Sequence, residues 1–202
     1  MQINKPDYYN NLEKTYIKTW DLLNKGLLER NNPFHIPIFI CGNNNSFGGR
    51  IVVLRDLDKN NKSLSFHSDI RSNKIKILKN NPLGAFLFYD KTEKIQLRVN
   101  CNVKIHYQND RTIKSWKKTA HMSRQCYLGN KAPGLDSNEP SSGLSEDIDN
   151  SKYTIEESEV GYRNFSVVEC FILSIEWLYL ASKGHRRAKF FFKDNHVDKK
   201  WL

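Results

Sequence analysis

The sequence predicts a mainly β protein with peripheral helices, its antiparallel strands closed or partly closed into a barrel. Two patterns carry that expectation. Short β-branched and aromatic runs are punctuated by Asn, Gly and Asp clusters, and helical periodicity is confined to a few flanking stretches. Size and composition agree: 202 residues, 39% hydrophobic and 27% charged, suit one cored domain spanning residues 1–202.

At the N-terminal end Tyr8, Leu12, Tyr16, Trp20, Leu23 and Leu27 recur at spacings of three and four, so residues 7–28 read as an amphipathic helix. Asn31-Asn32-Pro33 marks its end. Strand-like runs follow at 34–41, 50–57, 63–68, 84–89 and 94–107. Gly42-Asn43-Asn44-Asn45 and Asp58-Lys59-Asn60-Asn61 have the composition of hairpin turns. Residues 72–81 are helical instead, with Ser72 as N-cap, Ile75 and Leu78 on one face and Pro82 just beyond. A further helix is expected over 110–123 around Ile113, Trp116 and Ala120. The Pro-, Gly-, Ser- and Asp-rich stretch beginning at residue 132 and running to about 158 reads as a mobile acidic surface loop. The last two strands are expected at 166–180 and 188–192.

Several functional classes are excluded. The longest apolar runs, 36–42 and 85–89, are far shorter than the roughly 20 residues of a membrane span. No apolar signal segment opens the chain, and Cys41, Cys101, Cys126 and Cys170 are scattered without a CxxC pair, so free thiols in the cytoplasm and no membrane partner are expected. Nothing matches a P-loop, a dinucleotide fingerprint, a zinc cluster or a Ser-His-Asp arrangement, and no metal is expected. His106 and His121 read as core or surface residues.

The net charge is +10 and unevenly placed: residues 136–159 hold eight acidic side chains and one Lys, a local −7 that leaves +17 on the rest. A basic body invites anionic partners. Those partners are phosphate-bearing small molecules, nucleic acid or an acidic membrane surface, and nucleic acid is argued only by that charge, without a stacking motif.

The basic residues sit in recognisable settings. Arg50-Ile51-Val52-Val53-Leu54-Arg55 is a strand whose even positions share a face with Arg50. Phe66-His67-Ser68-Asp69-Ile70-Arg71-Ser72-Asn73-Lys74 runs from strand through turn into helix, where outward-pointing amides and the helix dipole suit a phosphate and Arg71, Ser72 and Lys74 can add charge-assisted bonds. In Ile95-Gln96-Leu97-Arg98-Val99, Gln96 and Arg98 share the face opposite Leu97. Ser123-Arg124-Gln125-Cys126 is a donor-rich turn, and Gly184-His185-Arg186-Arg187-Ala188-Lys189 is a basic approach to a Phe-rich strand.

Together with Asn81-Pro82, these motifs in this order resemble the pyridoxamine 5′-phosphate oxidase-like family of FMN-binding split β-barrels, from about Tyr8 to Phe192. The similarity is to a branch distinct from the true vitamin B6 oxidases, one with His-Ser/Thr-Asp-x-Arg-Ser-x-Lys and an Ala-Pro-Gly loop, here Ala132-Pro133-Gly134. The resemblance implies an antiparallel, Greek-key-like split barrel. It implies that Arg50 and Lys74 hold the FMN phosphate with Ser72 and Arg71 beside them, and that Arg50, Ile51, Val52, Val53, Leu54 and Arg55 line the flavin with His67 and Ser68. Gln96, Gln125, Cys126 and Lys189 match further flavin contacts, some supplied by a partner subunit, so a homodimer with FMN at its interface is implied. The implied activity is an oxidoreductase in which the flavin accepts a hydride from a small substrate, with His185 and Arg187 as candidate substrate contacts. The alternative is a protein that binds FMN, haem or a deazaflavin as a sensor or carrier.

Overall fold

The computed structural model describes residues 5–43, 45–150, 152–182, 184–193 and 196–202. Asn44 of the first expected hairpin turn, Ser151 of the acidic stretch and the first four residues lie outside them. No helix among the described residues is long and apolar enough to cross a membrane.

Helix α1 (Leu12–Leu28) starts five residues later than the periodicity suggests, because the Asn11 side chain accepts the Lys14 amide and fixes the cap there. Tyr8 and Tyr9 precede it in a turn, yet both are buried. Thr15 and Thr19 sit on the buried face because each hydroxyl donates to a carbonyl four residues back, at 2.9 and 2.8 Å. A Cβ on Gly26 would lie 2.6–2.8 Å from Phe34, so only glycine lets the chain turn this tightly under the helix. Residues 33–35, expected as strand, form a 3-10 turn, since Pro33 opens it and Asn32 accepts the Phe34 amide.

Among the described residues nine strands form one antiparallel sheet: β1 (Ile38–Gly42), β2 (Phe47–Ile51), β3 (Asp56–Asp58), β4 (Ser63–Asp69), β5 (Leu83–Asp90), β6 (Ile95–His106), β7 (Phe165–Tyr179), β8 (Arg186–Lys193) and β9 (His196–Trp201). The order is β2-β1-β5-β6-β7-β4-β3, with β8 paired to β7 and β9 to β8. The strand expected at 50–57 is therefore two strands. The chain pairs with β1 as far as Ile51, hands its Val52 and Leu54 amides to the carbonyls of Pro37 and His35, then gives the Arg55 amide to Ser65 and joins β4. One extended segment thus supplies both ends of the sheet, which rolls up without a closing ladder.

Strand β7 also serves two partners along one edge. Phe165–Phe171 pairs with β4 and Ser174–Tyr179 with β8, while β6 runs along the other edge. The ladder slips at Asn100/Cys101 opposite Leu173, and this bulge lies where β7 changes partner. The final strand β9, absent from the sequence expectation, is a largely exposed edge strand, so burial imposed little apolar alternation on its Lys-rich sequence.

Inside the roll, Phe39 packs on Phe66 at 4.8 Å and on Phe86 at 5.0 Å, and the fully buried Trp177, Phe88 and Phe190 extend the same core under α1. Truncating such a ring to Ala typically costs about 3–5 kcal/mol. Helix α2 (Asn73–Asn80) buries Ile75 and Leu78 as expected. Helix α3 (Asp110–Lys118) ends five residues before the expected boundary: Thr119 and Ala120 are extended and a short helical turn follows at His121–Arg124. The Asn109/Thr112 capping box sets a register that buries Thr112 and Trp116 and leaves Ile113 exposed. Trp116 joins Tyr127, Phe165 and Val167 in a smaller core. Cys41, Cys101 and Cys170 are buried free thiols, and Cys126 is an exposed one.

Candidate functional site

Where the extended segment leaves β1 for β4, the mouth of the roll opens into a cavity of about 360 Å³, within the range of small-molecule sites. Its lining includes Arg50, Ile51, Val52, Val53, Arg55, His67, Ser68 and Lys74. Leu54 turns into the core, so it can meet a ligand here only through its backbone. Asp69, Thr119, Ser123, Cys126, Tyr127 and Pro133 complete the wall.

Arg50 shares the inward face of β2 with Gly48, opposite Phe39 and Cys41 on β1. Its guanidinium folds back over Gly48, where an added Cβ would lie 2.6 Å from Nη2, and Nη1 donates to the Cys41 thiol at 3.1 Å. Lys74, in the first turn of α2, donates to the hydroxyls of Ser68 at 2.9 Å and Ser72 at 3.2 Å. Those two hydroxyls lie 3.3 Å apart, both in buried residues. Ser72 occupies the N-cap position, but its hydroxyl serves this cluster and leaves the helix amides uncapped. Burial first, and then the nearby Arg50 charge, holds Lys74 below the usual lysine range. Neither Arg50 nor Lys74 ion-pairs with a carboxylate among the described residues.

His67 sits further into the cavity, edge-on to Phe165 at 4.7 Å. Burial and the charge of Arg55 push its imidazole pKa down to about 3, so it is neutral at physiological pH. Tyr127 is likewise held protonated, its phenol raised well above the usual range by burial.

The other expected site residues are dispersed. Arg71 turns away from Lys74: its Nη2 and Nε meet Asp69 Oδ2 and Oδ1 at 2.7 and 3.0 Å, and Nη1 reaches the Asn130 carbonyl at 3.4 Å. Gln125 donates to the Ile148 carbonyl at 2.8 Å and lines, with Arg71, a neighbouring cavity, whereas Cys126 borders both. Gln96, Arg187 and Lys189 lie on the outer face of the sheet, and none of them lines the cavity of this chain. On that face Glu176 ion-pairs with Arg98 and lies 3.5 Å from Arg187, and it is the ladder partner of Lys189. His185 is exposed in the approach to β8. Sequence reasoning missed Thr119 and Tyr127, which reach the cavity only because α3 stops early. It also missed Cys41, whose role follows from its cross-strand position near Arg50.

Residues 40–107 match the family model for the FMN-binding domain of pyridoxamine 5′-phosphate oxidase. Among curated protein sequences, none matches this chain. Among solved structures, an FMN-binding protein related to pyridoxamine 5′-phosphate oxidase from Nostoc punctiforme superposes with a TM-score of 0.72 at 14% identity, covering 98% of each chain. PhzG from Burkholderia lata 383, solved with tetrahydrophenazine-1-carboxylic acid, also gives 0.72 at 14% identity, over 100% of this chain and 98% of its own. A Clostridium acetobutylicum protein related to general stress protein 26 gives 0.54 at 10% identity, over 94% and 96%. By fold along its whole length, and by sequence over residues 40–107, the chain resembles the pyridoxamine 5′-phosphate oxidase-like, FMN-binding split-barrel proteins.

Proposed function

We propose that this chain binds FMN in the cavity at the mouth of the roll and works as an FMN-dependent oxidoreductase on a small substrate. The observation that carries the reading is the pair Arg50 and Lys74, two cations near each other beside the Ser68 and Ser72 hydroxyls, neither ion-paired to a carboxylate among the described residues because the nearby Asp69 is committed to Arg71. A phosphate dianion relieves that imbalance, and the donor set fits it: one guanidinium, one ammonium, two hydroxyls and the uncapped amides at the start of α2. The FMN-binding domain model matched at 40–107 covers all four side chains.

When bound, FMN would supply the redox chemistry, as a hydride acceptor. The chain's own residues anchor and orient. Lys74 and Arg50 would hold the phosphate, and the backbone of 51–55, neutral His67 and Cys126 would line the ring. Gln96, Gln125 and Lys189 are assigned to the flavin and His185 and Arg187 to the substrate, in a homodimer where a second copy completes each site; Arg71, held by Asp69, is left out of the phosphate cluster. The outer face of β1, β2 and β5 supports that assembly: Ile38, Phe47, Ile51 and Leu83 are all exposed there, Phe47 at 82% and Ile51 at 67%. Such a contiguous apolar face is characteristic of an interface.

The test is an absorption spectrum of the purified protein, followed by FMN titration into the stripped form. Flavin bands near 370 and 450 nm, about where protein-held FMN absorbs, and saturable uptake are expected, followed by reduction with an amine or nicotinamide donor. A colourless protein that ignores FMN overturns the cofactor, and a holoprotein inert to every donor overturns the enzyme. Sedimentation of Ile51→Asp should show a monomer where the parent chain shows a dimer.

A further inference from the structure

Beside the cavity just described lies a second, larger one of about 670 Å³, roofed by the segment 129–144. Its two ends meet where the Asn130 amide donates to the Gly143 carbonyl at 3.1 Å, which makes the stretch between a compact Ω-loop. Gly134 and Gly143 take the positive φ values, 82° and 74°, that such a closed path needs. Arg71 reaches the base of this loop through the Asn130 carbonyl and lines the cavity beneath it.

The guanidinium of Arg71 is fixed before any ligand arrives. Asp69, whose side chain is only 5% exposed, grips Nε and one N–H of Nη2, and Nη1 spends one N–H on the Asn130 carbonyl, so one N–H of each terminal nitrogen is left for the cavity. Burial of Asp69 makes that grip permanent in the fold. The facing walls combine apolar surface from Pro133, Leu135 and Leu144 with hydroxyls of Ser137 and Ser141. Lys131 adds the second positive charge, so with Asp69 and Arg71 the cavity carries a formal +1. A cavity of that charge, with a planar fork already aligned, suits a monoanion whose charged group is itself planar, whereas a phosphate dianion is better served by Arg50 and Lys74.

We infer that this cavity is a binding site for a small ring-bearing carboxylate, its carboxylate end-on to the Nη1–Nη2 edge of Arg71 and its ring against Leu135 and Leu144. The two cavities share Asp69, Cys126 and Pro133, so the ligand lies next to whatever occupies the first. That the carboxylate is the flavin's reaction partner rests on the functional reading above; that it binds does not.

Benzoate is the probe and benzamide its uncharged isostere, each titrated into the full chain and followed by amide NMR. Benzoate should saturably shift Gly129, Asn130, Gly134 and Gly143, with benzamide at least tenfold weaker. Arg71→Gln should weaken benzoate at least tenfold, and Leu144→Trp, which fills the cavity while leaving the Asp69–Arg71 pair intact, should abolish it. No saturable shifts, shifts confined to Ser72 and Lys74, equal affinity for benzamide, or undiminished binding in Leu144→Trp would each overturn the site. Titrating FMN into the same samples separates the two readings: benzoate without FMN uptake removes the cofactor and keeps this cavity, and FMN uptake without benzoate does the reverse.

Discussion

Two groups of basic residues on this molecule differ in one respect. On the outer face of the sheet, Arg98 is ion-paired to Glu176, with Arg187 and Lys189 arranged around the same carboxylate. At the mouth of the roll, the side chains of Arg50 and Lys74 hydrogen-bond a thiol and two hydroxyls, while the nearby Asp69 is held by Arg71. Exposed pairs of the first kind are worth little, about 0–1 kcal/mol, and leave their charges in water. The second kind leaves charge unbalanced in a partly buried place, which costs the apo fold and is repaid when an anion binds. Positive charge marks a ligand site when the fold withholds the counterion, and the +10 of the whole chain is uninformative beside that distinction.

The contrast has measurable consequences. Acid should expose the mouth of the roll first. Folded His67, with a pKa of about 3, stays neutral where unfolded His takes up a proton below about 6.5, so between those values the unfolded state binds more protons and stability falls as pH falls. From pH 7 to pH 4 this one group should contribute a loss of about 2–3 kcal/mol, and His67→Phe should flatten that part of a urea-melt series across pH. A slope unchanged by the substitution would place His67 in solvent.

Next come the cations themselves. Arg50→Ala or Lys74→Ala should each weaken FMN binding by about 1.5–3 kcal/mol, roughly 10- to 100-fold, measured by flavin titration. Arg98→Ala and Lys199→Ala, whose side chains pair with Glu176 and Glu13, should leave it unchanged. Equal losses at Arg98 would erase the distinction drawn between the two regions.

Smaller effects of opposite sign test the cost of an unbalanced charge. Lys74→Met should raise the stability of the cofactor-free protein by about 0.5–1 kcal/mol while abolishing tight FMN binding, because removing a strained cation relieves the apo fold. Calorimetry on the stripped form reads the first and flavin titration the second. Gly48→Ala should leave the fold intact, since the added methyl meets only the movable end of Arg50, but displacing that guanidinium should cost about 0.5–1 kcal/mol of FMN affinity.

The local grammar of the fold was legible. Three- and four-residue spacing located α1, β-branched runs located β4 to β7, and the strand-turn-helix at 63–80 came out with the expected buried face. What escaped was set by partners distant in the chain. The run at 50–57 looks like one strand because every residue in it is extended; that it changes neighbours at Val52 to Arg55 depends on β1 and β4 curling toward each other. Helix α3 ends at Lys118 with no proline or glycine to announce it; the buried Arg124 guanidinium takes the carbonyls of Trp116 and Thr119 and packs 4.6 Å from the Trp116 ring. Among the site residues, the 66–74 motif was readable because its residues are sequence neighbours, but Arg71 and Lys74 look equivalent there. Asp69 grips one and leaves the other, which is a matter of side-chain reach around a turn.

Short-range physics accounts for what was legible: a β-rich chain, an amphipathic first helix, turns made by Asn and Gly, and a strand-turn-helix that sets Ser72 and Lys74 at the start of α2. Cross-strand register set Arg50 opposite Phe39 on β1 and put Gln96 and Lys189 on a face remote from the cavity of their own chain, while the turn after β4 gave Arg71 to Asp69. Spacing along a chain fixes which side chains share a face over a few residues, whereas which charges are balanced depends on contacts between strands far apart in the chain, and those exist only once the sheet has rolled.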